Sequence, residues 1–164
     1  PPWARVLKEA QDAGLKNRYN IWTGPLGMCL AYRPSVFTQL ARGAEEVAED
    51  MPGRYTGRRG AQWMRLRHLA TDRTLLVVNH QGPLPVNSGG ICGGISTAHQ
   101  LLHVVQQRSV QGDAVVLLGD LNADVLSDTV QELRKHLLLV VDSRTMGGMD
   151  HIFCNAGGSR VLSP

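Results

Sequence analysis

An α/β layered domain is expected from this chain on three grounds. Short apolar runs suited to buried strands recur along it, as in "TLLVVN" (74–79), "AVVLLGD" (114–120) and "LLLVVD" (137–142). Two stretches with helical apolar spacing lie between such runs, at about 96–107 and 127–137. Several of the links are too short for a helical crossover, so some strand pairs must be antiparallel and the sheet mixed.

Taken in order, residues 3–14 read as a helix, with Trp3, Val6, Leu7 and Ala10 on one face and Gly14 at its end. "LGMCLAY" (26–32) reads as a strand, stopped by Pro34 after Arg33. Residues 42–60 carry charges, Gly and Pro and read as a loop or variable insertion. "AQWMRLRHL" (61–69) alternates as a half-buried strand does, and the 74–79 strand follows. A glycine-rich loop, "NSGGICGG" (87–94), leads into the 96–107 helix, whose inner face carries Ala98, Leu101, Leu102 and Val105. After the strand at 114–120, Ser127 is placed to cap the next helix, which puts Val130, Leu133 and Leu137 inside. Strands at 137–142 and 150–155 complete the order, and one domain spans 1–164.

Composition narrows the class. The 164 residues are 43% hydrophobic and 19% charged, which suits a globular chain with its own core. No apolar run approaches the ~20 residues of a membrane helix. The net charge of +3 favours no partner, although lysine occurs only at Lys8, Lys16 and Lys135, and arginine suits bidentate contact with phosphate. Cys29, Cys92 and Cys154 are scattered, form no CxxC pair and read as free thiols. Oligomeric state and compartment are left open.

Chemistry concentrates in two places. "GDLNAD" (119–124) ends a buried strand with Asp120 and Asn122 on one side of the chain. Asp120, Asn122, Asp124 and Asp128 match four positions of an EF-hand loop. Val125 and Gln131 stand where that loop needs Gly and Glu, and a strand precedes it, so calcium is excluded. A carboxylate beside a carboxamide instead suits a phosphate reaction, one holding a water or metal and the other donating to a developing oxyanion. The second place, "VVDSRTMGGMDHIFCN", offers His151 as a general base, Asp142 to orient it and Asp150 for a divalent metal. His99 and His103 share a helical spacing but read as surface residues, and the glycine loop matches neither a P-loop nor a dinucleotide fingerprint. Alternation places Arg65 and Arg67 on one face, where they could track phosphates.

"GDLNA" and "DHIF", with "LLVVNHQGPLP" and "GMCLAYRPSVF" before them, resemble the endonuclease/exonuclease/phosphatase, or DNase I-like, superfamily. The resemblance implies a four-layer α/β sandwich: two mixed sheets face to face, helices outside. It implies hydrolysis of a phosphoric ester, in a nucleic acid, a phospholipid or an inositol phosphate. Asp120 and Asn122 would contact the scissile phosphate and the attacking water, His151 would be the base oriented by Asp142, and Asp150 would help hold Mg²⁺, with Mn²⁺ as substitute. The family's opening strand with its Asn and its Q-E motif have no counterpart, so the chain is expected to start beyond them and to lack the first strands of one sheet. In the N-x-H pattern the His position falls on Gln81; His80, one step earlier, is the candidate functional acid if a local bulge brings it there, and otherwise its ring points to the other face. The other reading is a catalytically inactive relative acting as a binding or scaffold domain.

Overall fold

The computed structural model describes residues 19–53, 55–142 and 148–155, together with Arg5, Lys8, Glu9 and Asp12. Those four positions are helical and exposed, with i,i+4 pairs Arg5–Glu9 and Lys8–Asp12; the apolar face expected for 3–14 lies outside the described residues. Strands β1 (Asn20–Thr23) and β2 (Cys29–Tyr32) form an antiparallel hairpin around a 3₁₀ turn at Pro25–Gly27. The strand expected at 26–32 therefore begins at Cys29, because Pro25 and the positive φ of Leu26 turn the chain first.

Among the described residues six strands make the main sheet: β3 (Phe37–Glu49), β4 (Arg58–His68), β5 (Thr74–His80), β6 (Ala114–Asp120), β7 (Leu138–Asp142) and β8 (Asp150–Cys154), in the order β3-β4-β5-β6-β8-β7. Only β5 and β6 are parallel, joined through helix α1 (Gly94–Arg108); the other pairs are antiparallel, so the sheet is mixed as expected. Helix α2 (Asp128–Arg134) is capped by Ser127, whose hydroxyl accepts the Val130 N–H.

Register sorts the sheet into two faces. Trp63 lies opposite Val78, Val78 beside Leu117, Leu117 opposite Phe153. That face is covered by the helices, through Ala98, Leu101, Leu102, Val105, Val130 and Leu133, and forms the core. Against the opposite face lies the β1–β2 hairpin, where Gln62 donates to the Trp22 carbonyl and Asn79 to that of Cys29. The result is an α/β sandwich, with helices outside and a two-stranded sheet facing the six-stranded one. Among the described residues no helix is long and apolar enough to cross a membrane.

One element was misjudged from sequence. Residues 42–49 are not loop: β3 runs to Glu49 and pairs with β4 along its length, leaving a connection of only about 50–57. The charges that suggest a loop line a strand at the end of the sheet, where they reach solvent and ion pairs such as Arg58–Glu46.

Candidate active site

The carboxyl ends of β5, β6 and β7 and the amino end of β8 meet at one end of the main sheet. Gly119 is the Cα partner of His151, Asp120 of Asp150, and Asp142 of His151. His80, the last residue of β5, lies on the other side of Gly119: a Cβ on Gly119 would collide with the His80 carbonyl oxygen. With φ at 143°, Gly119 holds a conformation and a closeness open only to glycine. Pairing thus brings Asp120, Asp142, Asp150, His151 and His80 to one place.

Alternation divides them. His151 is buried with Phe153, its ring 6.1 Å from the phenyl, whereas Asp150 and Ile152 are exposed on the other face. His80 continues the buried series Leu76 and Val78. Both imidazoles are anchored to backbone. His80 Nδ1–H donates to the Gly60 carbonyl (2.7 Å), and His151 Nε2–H donates to that of Ala123 (2.8 Å). A carbonyl only accepts, so in the neutral ring each bond fixes the tautomer and makes the other nitrogen the acceptor. Those nitrogens, His80 Nε2 and His151 Nδ1, are buried and have no hydrogen-bond partner among the described residues. Burial, the largest influence, drives the His80 pKa down to about 4; the Gly60 bond opposes it, Arg59 adds to it and Asp120 opposes it.

Beyond β6 the chain folds tightly. Asp120 Oδ1 accepts the Asn122 N–H (3.0 Å), and Asn122 takes a positive φ of 46°, which Asn tolerates better than most residues. The Asn122 amide donates to the Gly82 carbonyl (2.7 Å), which leaves its second N–H and its oxygen for other partners. Gly82 N–H donates back to the Asp120 carbonyl (2.8 Å). The glycine-rich loop is stitched to the acidic loop at a second point: Asn87 and Asp124 exchange hydrogen bonds of 2.7 and 2.8 Å, and the Asn87 N–H donates to the Asn122 carbonyl. The Asn87 side chain, then the Leu126 N–H, hold the Asp124 carboxyl below its usual range.

A third loop closes the group. Asp50, 4% exposed, receives both arms of the Arg59 guanidinium (2.8 and 2.9 Å) and the Leu84 N–H (2.7 Å). The Arg59 bond, against the opposing effect of burial, keeps the Asp50 carboxyl below its ordinary value. Asp50, Arg59 and Asn87 were not anticipated from sequence; an Asp before Met-Pro-Gly and an Asn before Ser-Gly-Gly were the available signals, and both read as turn residues.

Arg65 and Arg67 are not brought to this cluster. Arg65 pairs with Leu76, toward the opposite end of β5, and forks onto Asp113, which precedes β6 (2.8 and 3.1 Å). Arg67 is further out still, opposite Thr74, and faces Asp72 at 3.6 Å.

The fit to Mg²⁺ is incomplete. Asp120 and Asp150 are partners across the β6–β8 pair, but no three His, Cys, Asp or Glu side chains among the described residues converge where they could hold an ion. Mg²⁺ requires a near-octahedral set of oxygens, which these residues do not supply by themselves.

No family model and no curated protein matches the sequence. Its fold, however, is shared with solved structures. An endonuclease/exonuclease/phosphatase family protein from Bacteroides thetaiotaomicron superposes with a TM-score of 0.68 at 15% identity, over 91% of this chain and 64% of that one. A mannosyl-6-phosphatase from the same organism gives 0.70 at 17%, over 94% and 68%. D. rerio TDP2 complexed with a single-strand DNA product gives 0.59 at 15%, over 98% and 69%. The chain has the endonuclease/exonuclease/phosphatase fold, and spans about two thirds of the length of the structures it matches.

Proposed function

We propose that this chain carries the hydrolytic site of a phosphoesterase that acts on phosphoric esters at the strand ends around Gly119. The observation that carries the reading is the pair of buried ring nitrogens, His80 Nε2 and His151 Nδ1, that have no hydrogen-bond partner among the described residues and flank Gly119, where the strand ends bearing Asp120, Asp142 and Asp150 meet. Gln62 Oε1 and Trp63 Nε1 on β4 are two further such atoms. Buried polar atoms are almost always satisfied, so two such ring nitrogens at one cluster of titratable groups favour a place where a ligand or water completes the set. The phosphatase and DNA-product complex among the structures of the same fold support the same reaction class.

In this reading the Ala123 carbonyl holds His151 as the Nε2–H tautomer, so Nδ1 takes the proton of the attacking water. A bond forms from that water oxygen to phosphorus as the ester P–O bond breaks, and the leaving oxygen is protonated from solvent. Asp142, expected from sequence to orient the His151 ring, bonds neither of its nitrogens, because the Ala123 carbonyl does the orienting; from its place opposite His151 its charge would favour the imidazolium that results. Asn122 uses its second amide N–H to donate to a phosphoryl oxygen, and Asp120 holds the loop that aims it. His80, neutral near pH 7, accepts a hydrogen bond at Nε2; the acid role expected from sequence requires a proton that burial disfavours. Asp150 would supply one carboxylate to a bound Mg²⁺ or Mn²⁺, which would offset charge on the phosphoryl oxygens.

Hydrolysis of bis(p-nitrophenyl) phosphate and p-nitrophenyl phosphate, with EDTA and with added Mg²⁺ or Mn²⁺, tests this. Measurable turnover that drops ~10²-fold or more in His151→Ala and in Asn122→Ala is the expected result. Turnover indifferent to both substitutions removes the assigned roles, and the divalent-ion arm decides the metal expectation at Asp150 independently.

A further inference from the structure

Behind His80, three chain segments are tied to one buried carboxylate. Asp50 closes the β3–β4 connection through its own N–H on the Gly57 carbonyl, holds Arg59 by both guanidinium arms, and takes the Leu84 N–H. Met51 returns a bond to the Leu84 carbonyl. Each of these segments bears on one ring. Arg59 adjoins Gly60, whose carbonyl is the acceptor that holds His80 Nδ1–H. Leu84 lies four residues beyond His80, on the chain that leaves the ring and then supplies Gly82 to Asn122 and Asp120. The ion pair is largely desolvated, with side chains 3% and 18% exposed, so its geometry is well defined and costly to disturb. Gly57 leaves the room: a Cβ there would stand 2.7 Å from Asp50 Oδ2.

We infer that Asp50 and Arg59 are positioning residues for His80 and for the 82–90 loop, setting the Gly60 carbonyl that selects the His80 tautomer and the seat from which Gly82 orients Asn122. The inference rests on the phosphoesterase reading for its consequence in turnover, and on geometry alone for its consequence at the ring. The role is assigned through the Gly60 and Leu84 backbone and not through contact with substrate. Arg59 spends its fork on Asp50, so substituting lysine keeps the charge and loses the two-armed geometry.

The test uses Asp50→Asn and Arg59→Lys in the full chain, with folding checked by circular dichroism and urea unfolding. Imidazole ¹⁵N–¹H correlation spectra report each histidine tautomer directly. Unaltered protein is expected to show His80 as Nδ1–H alone, and both variants to show Nε2–H as well, with kcat on the phosphodiester falling about tenfold and KM changing little. Should Asp50→Asn not fold, Arg59→Lys alone decides. Folded variants with an unchanged His80 tautomer and unchanged kcat overturn the inference. If the unaltered protein hydrolyses nothing, the phosphoesterase reading fails, while the tautomer measurement still decides whether Asp50 and Arg59 position the ring.

Discussion

His80 shows how burial at a single residue links the site to stability. Its pKa, near 6.5 in an unfolded chain, is pushed down to about 4, first by burial. Between those values the unfolded state holds a proton that the folded state does not, so stability falls as pH drops from 6.5 toward 4. Between pH 7 and 5 the share due to His80 amounts to about 2 kcal/mol. Urea unfolding at the two pH values is expected to show this loss, and to show a smaller one for His80→Gln; an equal loss in both proteins would place its origin elsewhere. At this scale the sequence disclosed chemical identity but not partnership. Asp120, Asn122, Asp142, Asp150, His80 and His151 could be picked out as types. The Gly60 and Ala123 carbonyls that set the two ring tautomers could not, because a backbone acceptor leaves no trace in residue type and comes from an element distant in the chain.

Strand β4 illustrates the same limit for elements. Its alternation was legible, and Arg65 does share a parity with Arg67, but that parity is also Trp63's, and Trp63 points into the core. Position along the strand, which alternation does not encode, puts Arg65 beside Asp113 and away from Asp120. β3 was missed for a related reason. Its sequence is weakly apolar, and its place depends on β4: the Trp63 ring lies where a side chain on Gly43 would stand, and Arg58 pairs with Glu46. Strand preference of this kind comes from cross-strand neighbours, which appear only once the register is known. The Arg65–Asp113 pair is accordingly expected to act in stability. Arg65→Ala strands a carboxylate that is 4% exposed at the side chain, at a cost of about 3 kcal/mol. Arg65→Ala with Asp113→Ala should cost less than Arg65→Ala alone. Urea midpoints of the three proteins check the order, and a double variant weaker than the single one would refute it.

Across the whole molecule the two ends of the sheet differ in how they meet solvent. β3 ends it on one side with Arg42, Glu46 and Glu49 exposed along thirteen residues, a pattern that discourages pairing with another chain. β7 ends it on the other with Leu138 at 56% and Val140 at 57% exposure, and Val141 and the neighbouring Ile152 are also exposed. Among the described residues no strand pairs with the outer side of β7, and apolar side chains coincide with that edge, which is the combination that templates strand addition or face-to-face association. Association is therefore expected to run through β7 and not β3. Sedimentation velocity over a concentration series should show reversible self-association at high concentration. Val140→Lys should suppress it, since a charge at the strand end opposes stacking of like copies, whereas Leu40→Lys on β3 should leave it unchanged even though Leu40 is 44% exposed. Equal suppression by both substitutions would point to general charge repulsion, and no effect of Val140→Lys would clear β7 of the role.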